Sequence, residues 1–266
     1  MARQEITSLE DPRLDAFRDL STTPTTKRGD RFIVEGMWLV ERLAASRLDI
    51  ESVLVGQRRE QQASSLVGPE TQMLVVDDAM LSQIVGFKFH RGVLACGLRP
   101  AGAPLGSILP EDDRPLTLLE CVEIKDQENL GAILRTSYAL DVDAVLLSRG
   151  CADPFSRRTI RVSMGAAFEL PVIESLDLQH DLVRLRDEHD ISLIATSLSE
   201  DSTPLDQCER TNRVALLLGS EGPGLSPQWI DECNMTVRIP MRRGADSLNV
   251  AVAAGIVLNH LRPPST

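Results

Sequence analysis

The sequence is poor in aromatic residues, which make up 3% of its 266 positions. An extensive platform of aromatic side chains for stacking nucleic-acid bases is therefore not expected. Long apolar runs are also missing, because the longest charge-free stretch, 247–261, has 15 residues and a membrane-spanning helix needs about 20. The first ten residues contain no apolar core of a secretory signal either. We expect no membrane span and no secretion.

Cysteines are few and isolated. The five of them lie at least 25 residues apart and form no CxxC pair, so no metal-ligand spacing is visible. An odd number of separated cysteines is typical of a reduced protein, which predicts a cytoplasmic location and no metal site. The 42% hydrophobic and 25% charged residues are ordinary for a globular chain.

Positive charge is scarce as well. The formal net charge is −11, whereas nucleic-acid-binding domains are usually basic. Residues 1–105 carry 13 Lys and Arg against 14 Asp and Glu, and the remaining residues carry 15 against 25. A nucleic-acid site would have to be a local basic patch on an acidic chain.

Apolar strand-like runs alternate with helix-period segments in both halves of the chain. Between the halves, residues 101–115 contain three prolines and two glycines, which indicates an exposed linker and predicts domains at 1–105 and 106–266. Near-continuous apolar strands such as 214–218 predict a parallel α/β sheet covered on both faces. Trp38 falls in the apolar pattern of the predicted helix 36–46, so we expect it in the core.

One group of chemically notable residues lies at 126–135, where a strand turns into a helix. Asn129 sits where a helix N-cap is expected, and Arg135 lies inside an otherwise apolar helix. The residues alone leave two interpretations of Arg135 equally open. It is either a surface arginine on an amphipathic helix or a cation at the carboxyl edge of a parallel sheet, where α/β ligands bind.

Two further segments of interest lie near the C-terminus. The G-x-x-G-x-G sequence at 219–224 directly follows the most apolar predicted strand and encloses Glu221. It is neither a dinucleotide-binding fingerprint nor a Walker loop, but it allows close approach of a ligand to the main chain. The segment 239–256 combines a proline loop with a small-residue helix, for which Ser247 is the expected cap. These patterns predict a small-molecule site on a parallel sheet.

Taken in order, the three segments resemble the signature of the SpoU/TrmH group of SPOUT RNA methyltransferases. The matching pieces are Asn129-x-Gly131-x-x-x-Arg135, Leu218-Gly-Ser-Glu-Gly-x-Gly224, and Ile239-Pro-Met241 with Ser247-Leu-Asn-Val-Ala-Val-Ala253. The first half resembles the substrate-binding extension of that family through Arg31-Phe-Ile-Val-Glu-Gly36 and His90-Arg-Gly-Val-Leu-Ala95. The resemblance implies a parallel-sheet SPOUT domain with a C-terminal trefoil knot, preceded by a smaller L30e-like α/β domain that binds the RNA substrate.

The resemblance also implies an activity, namely transfer of the methyl group of S-adenosylmethionine to a ribose 2′-hydroxyl in RNA by a homodimer. Ribosomal RNA is favoured over transfer RNA. The implied cofactor-binding residues are Thr196, Leu218, Gly219, Gly224, Ile239, Met241 and Leu248. The implied catalytic residues are Arg135, Asn129, Glu221, Ser247 and Asn249. Because a guanidinium stays protonated, Arg135 is better suited to hold a substrate phosphate and polarise the 2′-oxygen than to act as a base.

Clustered basic residues predict where RNA is bound, and they are Lys27, Arg28, Arg31, His90, Arg91, Arg157 and Arg158. Glu221 is interpreted either as a carboxylate near the sulfonium group or as an acceptor that braces its loop. Two other functions stay open. The chain is alternatively a catalytically inactive RNA-binding protein that retains the fold, or an enzyme with a nucleotide cofactor that acts on a small metabolite.

Overall fold

The computed structural model describes residues 2–20, 29–220, 222, 224–242 and 246–263. Its strands are β1 Ala2–Glu5, β2 Arg31–Glu35, β3 Ile50–Gly56, β4 Gln72–Val76, β5 Val93–Leu98, β6 Leu116–Cys121, β7 Ala144–Leu147, β8 Val172–Glu174, β9 Ser192–Thr196, β10 Thr203–Pro204, β11 Arg213–Leu218 and β12 Met235–Arg238. Its α-helices are α1 Met37–Ala45, α2 Glu60–Ser64, α3 Asp78–Val85, α4 Gln127–Ala139, α5 Arg157–Val162, α6 Leu178–His189, α7 Pro227–Asp231 and α8 Val250–His260. No helix in the described part of the chain is long and apolar enough to cross a bilayer.

The chain divides into two compact units. Unit 1 consists of 1–101 and 155–169, and unit 2 consists of 102–154 and 170–266. The division after residue 101 falls in the proline-rich linker, but the predicted second domain, 106–266, differs from unit 2 in the segment 155–169. The reason is apolar packing, because Phe155 and Phe168 are buried in the core of unit 1 and their rings lie 5.0 and 5.9 Å from that of Phe32.

Unit 1 is built on a five-stranded mixed sheet with the strand order β1-β4-β3-β5-β2. The strands β1, β4 and β3 run parallel to one another, whereas β5 runs antiparallel to both β3 and β2. Helix α1 buries Leu39, Val40 and Leu43 among the residues of this core. β1 has no counterpart in the sequence-based prediction, because Arg, Gln and Glu form most of it.

Unit 2 is built on a seven-stranded sheet with the order β10-β12-β9-β11-β6-β7-β8, in which every pairing is parallel. The prediction of a parallel α/β sheet is confirmed. The sequence pattern predicts strands at 116–121, 144–147 and 172–174, and these are the observed bounds of β6, β7 and β8. Polar or turn residues lie on both sides of β7 and of β8, which is the pattern that defines the ends of a buried strand most sharply.

Both faces of the unit 2 sheet are covered. Leu118 and Leu217 pack with Leu182 and Leu185 of α6 on one face. The alternate residues of the same strands are buried on the opposite face, where α8 contacts both β11 and α4. This arrangement places the first turns of α4 and α8 beside each other.

The caps of these two helices differ from the predicted ones. Asp126, not Asn129, caps α4 by accepting hydrogen bonds from the main-chain N–H groups of Glu128 and Asn129, at 2.9 and 2.8 Å. Asn249, not Ser247, caps α8. A cap must be the last residue with extended backbone before the helix, and Asp126 satisfies this with φ −79° and ψ 126°.

The central strand β6 carries a buried carboxyl group. Glu120 is fully buried on the face of the sheet that contains Leu118, and neither of its carboxyl oxygens has a hydrogen-bond partner in the described part of the chain. Burial raises the pKa of this carboxyl well above its usual value, and the Asp181 carboxylate adds to the shift. Burial therefore favours the protonated, uncharged form of Glu120.

Candidate functional site

The carboxyl edge of the unit 2 sheet contains a cavity of about 670 Å³. Its walls are the segments that follow β9, β11 and β12, together with the loop before α8 and the first turns of that helix. Since β12, β9 and β11 are parallel neighbours, their carboxyl ends meet at one edge, which is where α/β sheets bind ligands. The volume lies within the range of about 300 to 1,000 Å³ that is usual for small-molecule sites.

The cavity brings together residues that are up to 61 positions apart in the sequence, from Thr196 to Val257. All seven residues predicted to bind the cofactor line it, and they are Thr196, Leu218, Gly219, Gly224, Ile239, Met241 and Leu248. Ser247 and Asn249 line it too. The predicted residues therefore share one cavity, whereas their contact with a ligand stays a prediction.

The glycine-rich loop after β11 folds back on itself. A Cβ atom at Gly219 would lie 2.4 Å from the main-chain carbon of Gly224 and 2.4 Å from the nitrogen of Leu225. Ser220 and Gly224 form an isolated antiparallel bridge, and Gly224 adopts φ +66°, a conformation that favours glycine. This close approach of main chain to main chain requires glycine at position 219.

Main-chain groups in the cavity are available to a ligand. Among the described residues, no hydrogen bond engages the main chain of Gly219, Ile239 or Leu248. A heterocycle presents both donors and acceptors at its edge, and main-chain N–H and C=O groups match both. The Thr196 hydroxyl is different, because it donates to the carbonyl oxygen of Leu217 at 3.1 Å and so ties β9 to β11.

Asn249 joins the cavity to helix α4. Its side-chain oxygen accepts from the N–H of Ala251 at 2.9 Å and of Val252 at 3.3 Å, while its Nδ2 donates to Oδ1 of Asn129 at 2.8 Å. One side chain thus caps α8 and holds the first turn of α4. Two of the predicted catalytic residues, Asn129 and Asn249, are therefore in direct contact, and Ser247 lines the same cavity as Asn249.

Arg135 lies apart from this cluster. It follows Asn129 by six residues on α4, which corresponds to a rise of about 9 Å and a rotation of about 120° away from that residue. Its side chain is exposed, does not line the cavity of its own chain, and makes no hydrogen bond or ion pair with another described residue. Arg135 is thus available to a group outside this chain. Glu221 lies outside the described residues.

Several polar residues of the cavity were missed by the sequence-based prediction. Ser197, Ser199 and Asp246 also line it. A signal for the serines was present, because the Thr-Ser-Leu-Ser sequence at 196–199 directly follows a buried parallel strand, where ligand-binding side chains are common. No local pattern marks Asp246.

The predicted RNA-binding residues lie in unit 1, apart from Lys27 and Arg28, which are outside the described residues. Arg31 donates two hydrogen bonds of 2.6 Å to the carboxylate of Glu51, and this contact lowers the pKa of that carboxyl group. The charge of Arg31 is therefore largely compensated within the protein. His90 and Arg158 are exposed.

Arg91 and Arg157 share a single carboxylate. Glu35, whose side chain is 10% exposed, forms ion pairs with both guanidinium groups. Arg157 also donates to the carbonyl oxygen of Leu20 and lies over the ring of Phe87, 5.3 Å from its centroid. These contacts give Arg157 a structural role in unit 1, so the local basic patch is weaker than the residue count suggests.

The structure places Trp38 on the surface, which corrects the prediction that it lies in the core. Its neighbours Leu39 and Val40 are buried, but Trp38 is 46% exposed. One residue corresponds to a rotation of 100° on a helix, so an apolar residue beside the buried stripe is easily assigned to the wrong face. Across the ranges that the structure describes, no group of three or more His, Cys, Asp or Glu side chains is arranged to hold a metal ion.

A cavity at the carboxyl edge of a parallel sheet, walled by a glycine loop and open main-chain groups, defines an α/β protein that binds a small molecule there. The SpoU rRNA Methylase family matches residues 117–259, and the chain belongs to this family. The matched segment contains β6 through most of α8, which includes every wall of the cavity.

Relatives and solved structures cover nearly the whole chain. An uncharacterized tRNA/rRNA methyltransferase of Mycobacterium bovis is 36% identical over 95% of this chain and 89% of the relative. The 23S rRNA (guanosine(2553)-2′-O)-methyltransferase RlmP of Bacillus subtilis is 27% identical over 97% of this chain and 99% of its own. The AdoMet-bound rRNA methyltransferase of Sinorhizobium meliloti is 27% identical and superimposes with a TM-score of 0.84 over 98% of this chain and 97% of that structure.

Proposed function

We propose that this chain transfers the methyl group of S-adenosylmethionine to a ribose 2′-hydroxyl in RNA. The observation that supports this most strongly is the convergence of all seven predicted cofactor-binding residues on one cavity at the carboxyl edge of the sheet. Membership of the SpoU rRNA Methylase family and the 2′-O activity named for the B. subtilis relative point to the same reaction.

The residues of the cavity fit the proposed cofactor. Gly219 leaves room for main chain where a Cβ would clash, and its main-chain groups, with those of Ile239 and Leu248, are open to the edge of an adenine ring. Ser197 and Ser199 offer hydroxyls, and Asp246 offers a carboxylate to cationic groups. S-adenosylmethionine supplies a methyl group on a positively charged sulfur, which is the electrophile of the reaction.

The reaction needs a 2′-oxygen aligned with the methyl group and relieved of its proton. Bound S-adenosylmethionine would supply a methyl carbon whose bond to sulfur breaks, with its electron pair leaving on sulfur, as the bond to the 2′-oxygen forms. Arg135 holds a substrate phosphate and polarises the 2′-oxygen, while that phosphate accepts the proton. As the family resemblance implies, Asn129, Glu221, Ser247 and Asn249 would orient Arg135, the ribose or the methionine end of the cofactor.

The proposal also includes two features of the fold, a C-terminal knot and an N-terminal RNA-binding domain. The loops 218–224, 239–241 and 247–249 form the C-terminal trefoil knot, and residues 1–105 form an L30e-like domain that binds RNA. The mixed sheet of unit 1 and its net charge of +1, against −12 for unit 2, are compatible with this role. A crystal structure with the cofactor bound tests the knot, because the chain can be traced through these three loops.

Ribosomal RNA is the proposed substrate, in the cytoplasm, and the B. subtilis relative is named for 23S rRNA. Mapping of 2′-O-methylation in cellular RNA with and without this chain identifies the target. Loss of a single methylated nucleotide in ribosomal RNA is the expected result. Loss confined to transfer RNA would overturn the choice of substrate.

A homodimer is proposed because α8 exposes an apolar face. Val252 is 52% exposed and Ile256 39% exposed, with Gly255 beside them on α8. The uncharged residues Ala132 and Thr136 continue this face onto α4. A second copy seated there would bring Arg135 of one chain towards the partner, which accounts for its distance from the cavity of its own chain.

The homodimer is tested by light scattering on Val252→Asp, which we expect to be a monomer. Position 252 lies in the first turn of α8, where an acidic residue favours the helix, so loss of the dimer would not reflect loss of folding. Leu176→Asp is the matched control, because Leu176 is exposed and apolar but lies away from α8. An unchanged mass of Val252→Asp contradicts the proposed interface.

The activity is tested by calorimetric titration with S-adenosylmethionine and by transfer of a labelled methyl group to total RNA. Heat of binding together with label on ribose 2′-oxygens is the expected result. RNA binding without heat would indicate the inactive RNA-binding protein. Label on a small molecule instead of RNA would indicate the metabolite enzyme.

A further inference from the structure

Trp38 occupies an unusual position for a tryptophan. All nine aromatic side chains lie among the described residues, and Trp38 and Tyr138 are the two that are exposed. Trp38 is the exposed one in unit 1, where the six phenylalanines are buried or partly buried. The core of unit 1 is formed by other residues of α1, so the indole ring contributes little to its packing.

The indole ring is braced by an arginine. The guanidinium carbon of Arg42, one helical turn further along α1, lies over the ring at 5.2 Å from its centroid. Nη1 of Arg42 donates to the carbonyl oxygen of Met164 at 2.8 Å, so the guanidinium is fixed by a segment far away in the sequence. A guanidinium covers one face of a ring, and the 46% exposure of Trp38 leaves a large part of the indole open.

The surroundings of this pair favour an anionic partner. Unit 1 carries 16 Lys and Arg against 15 Asp and Glu, whereas unit 2 carries 12 against 24. The segment 155–169, which includes Met164, carries three arginines against one glutamate. The Arg91 side chain lies beside Gly36, at the start of α1. A Cβ atom added at Gly36 would lie 3.2 Å from Cδ of Arg91.

From this arrangement we propose that Trp38, held by Arg42, is a stacking surface for an unpaired nucleobase of the RNA substrate. The inference rests on the proposed function and extends it to a contact in unit 1. Bases within an RNA duplex are stacked on one another, so an exposed ring selects bases in loops, bulges or single strands. The indole face accepts any base, while the arginines nearby attract the phosphates.

A direct test uses the fluorescence of Trp38 itself. The chain has two tryptophans, so Trp229→Phe leaves Trp38 as the sole indole fluorophore. Three RNA probes of equal length are titrated, namely a hairpin with an adenosine loop, the same hairpin with an abasic loop, and a fully paired duplex. We expect the adenosine loop to quench the fluorescence and the other two to leave it nearly unchanged, because quenching requires a base against the ring.

Substitutions test the same contact by affinity. Trp38→Ala is expected to weaken binding of the adenosine hairpin by about 5- to 100-fold, and Trp38→Phe by less, because phenylalanine keeps an aromatic face. The dependence of binding on salt should stay the same in Trp38→Ala, since stacking releases no counterions. Leu176→Ala, which removes an exposed apolar side chain from unit 2, is the control and should bind RNA normally.

Two results would overturn the proposal while leaving the methyltransferase function intact. In the first result, the enzyme is active but the adenosine and abasic hairpins quench the fluorescence of Trp38 equally, or neither hairpin quenches it. The other is a change in oligomeric state on Trp38→Ala, which would assign this face to a second copy of the chain. If the wild-type protein bound no RNA and labelled none, the proposed function itself would fall, and the stacking surface with it.

Discussion

The two units differ in charge, in aromatic content and in the geometry of their sheets. Unit 1 has a net charge of +1, contains seven of the nine aromatic residues and has a mixed sheet. Unit 2 has a net charge of −12, contains Tyr138 and Trp229 and has a wholly parallel sheet with a cavity at its carboxyl edge. The chain as a whole looks unsuited to RNA because the average is dominated by unit 2.

This difference suggests that unit 2 binds the cofactor and that unit 1 binds the RNA. An acidic unit with an open-edged parallel sheet suits a small cationic cofactor, and a nearly neutral unit repels a polyanion less than the acidic unit does. Substitutions in the cavity of unit 2 should therefore affect cofactor binding or methyl transfer and spare RNA affinity. Substitutions in unit 1 should have the reverse effect.

The largest effect is expected for Arg135→Ala. Methyl transfer should fall by about 100- to 1,000-fold, because a charged group that acts on the reacting oxygen is lost. The affinity for S-adenosylmethionine should stay nearly intact, as Arg135 does not line the cavity of its own chain. Single-turnover transfer and calorimetry measure the two quantities.

Arg184→Ala provides the control for this substitution, since Arg184 is a surface residue of unit 2 that pairs with Glu188 on its own helix. It should leave both quantities unchanged. Joint loss of transfer and cofactor affinity in Arg135→Ala would mean that Arg135 holds the cofactor, and the proposed role would be wrong.

Gly219→Ala should act on the cofactor. The new methyl group would lie 2.4 Å from the main chain of Gly224 and Leu225, so the loop must move. We expect the affinity for S-adenosylmethionine to fall about tenfold or more, with RNA affinity unchanged. Gly106→Ala is the matched control in the same unit, because no atom lies within 4 Å of its added carbon. Normal cofactor affinity in Gly219→Ala would place the ligand elsewhere.

Substitutions of Asn249 separate its two contacts. Asn249→Ala removes the cap of α8 and should lower the free energy of unfolding by about 1 kcal/mol, measured with urea. Asn249→Asp keeps an acceptor for the N–H groups of Ala251 and Val252 but loses the donor to Asn129. Its stability should be close to that of the wild type, whereas methyl transfer should fall in both variants. Full activity of Asn249→Asp would show that the link to Asn129 is dispensable.

The smallest effect concerns Glu120 and the stability of unit 2. Because its pKa is higher in the folded chain than in the unfolded chain, the folded state binds a proton that the unfolded state releases above pH 4.5 or so. The contribution of Glu120 to the free energy of unfolding is fully present below that pH and is lost as the pH rises. The loss is at most about 1.4 kcal/mol for each pH unit between the pKa of the unfolded chain and that of the folded chain. Glu120→Gln should remove this part of the slope.

Urea unfolding at pH 5 and pH 8 measures the slope. Glu174→Gln, at an exposed position of β8, is the control and should keep the wild-type pH dependence. Equal slopes in Glu120→Gln and the wild type would contradict a protonated carboxyl at this position.

Much of unit 2 was predictable from the sequence. The strands at 116–121, 144–147 and 172–174 are short and mostly apolar. Thr196, Gly219 and Ile239, which the family resemblance predicts to bind the cofactor, lie at or directly after the ends of strands, so strand position brings their loops to one edge. The caps were less predictable, because Asp126 and Asn129 are both good caps and only the backbone conformation distinguishes them.

Contacts over long sequence distances were not predictable. The segment 155–169 has a helical pattern like any other, and nothing in it indicates that Phe155 and Phe168 pack against Phe32. The ion pairs of Arg91 and Arg157 with Glu35 were hidden for the same reason, although they change the expected strength of the basic patch. Trp38 was predicted to lie in the core but is exposed, because it is one residue away from the buried side of α1.

The return of residues 155–169 to unit 1 has a practical consequence for anyone wishing to isolate the catalytic portion. A fragment starting at residue 106 would keep Phe155, Ile160 and Phe168 but lose the partners that bury them. With these three hydrophobic side chains exposed to water, the truncated protein would be prone to aggregation. A better fragment would omit both the N-terminal portion and the segment 155–169, with a short linker joining residues 154 and 170. We expect this fragment to be more soluble.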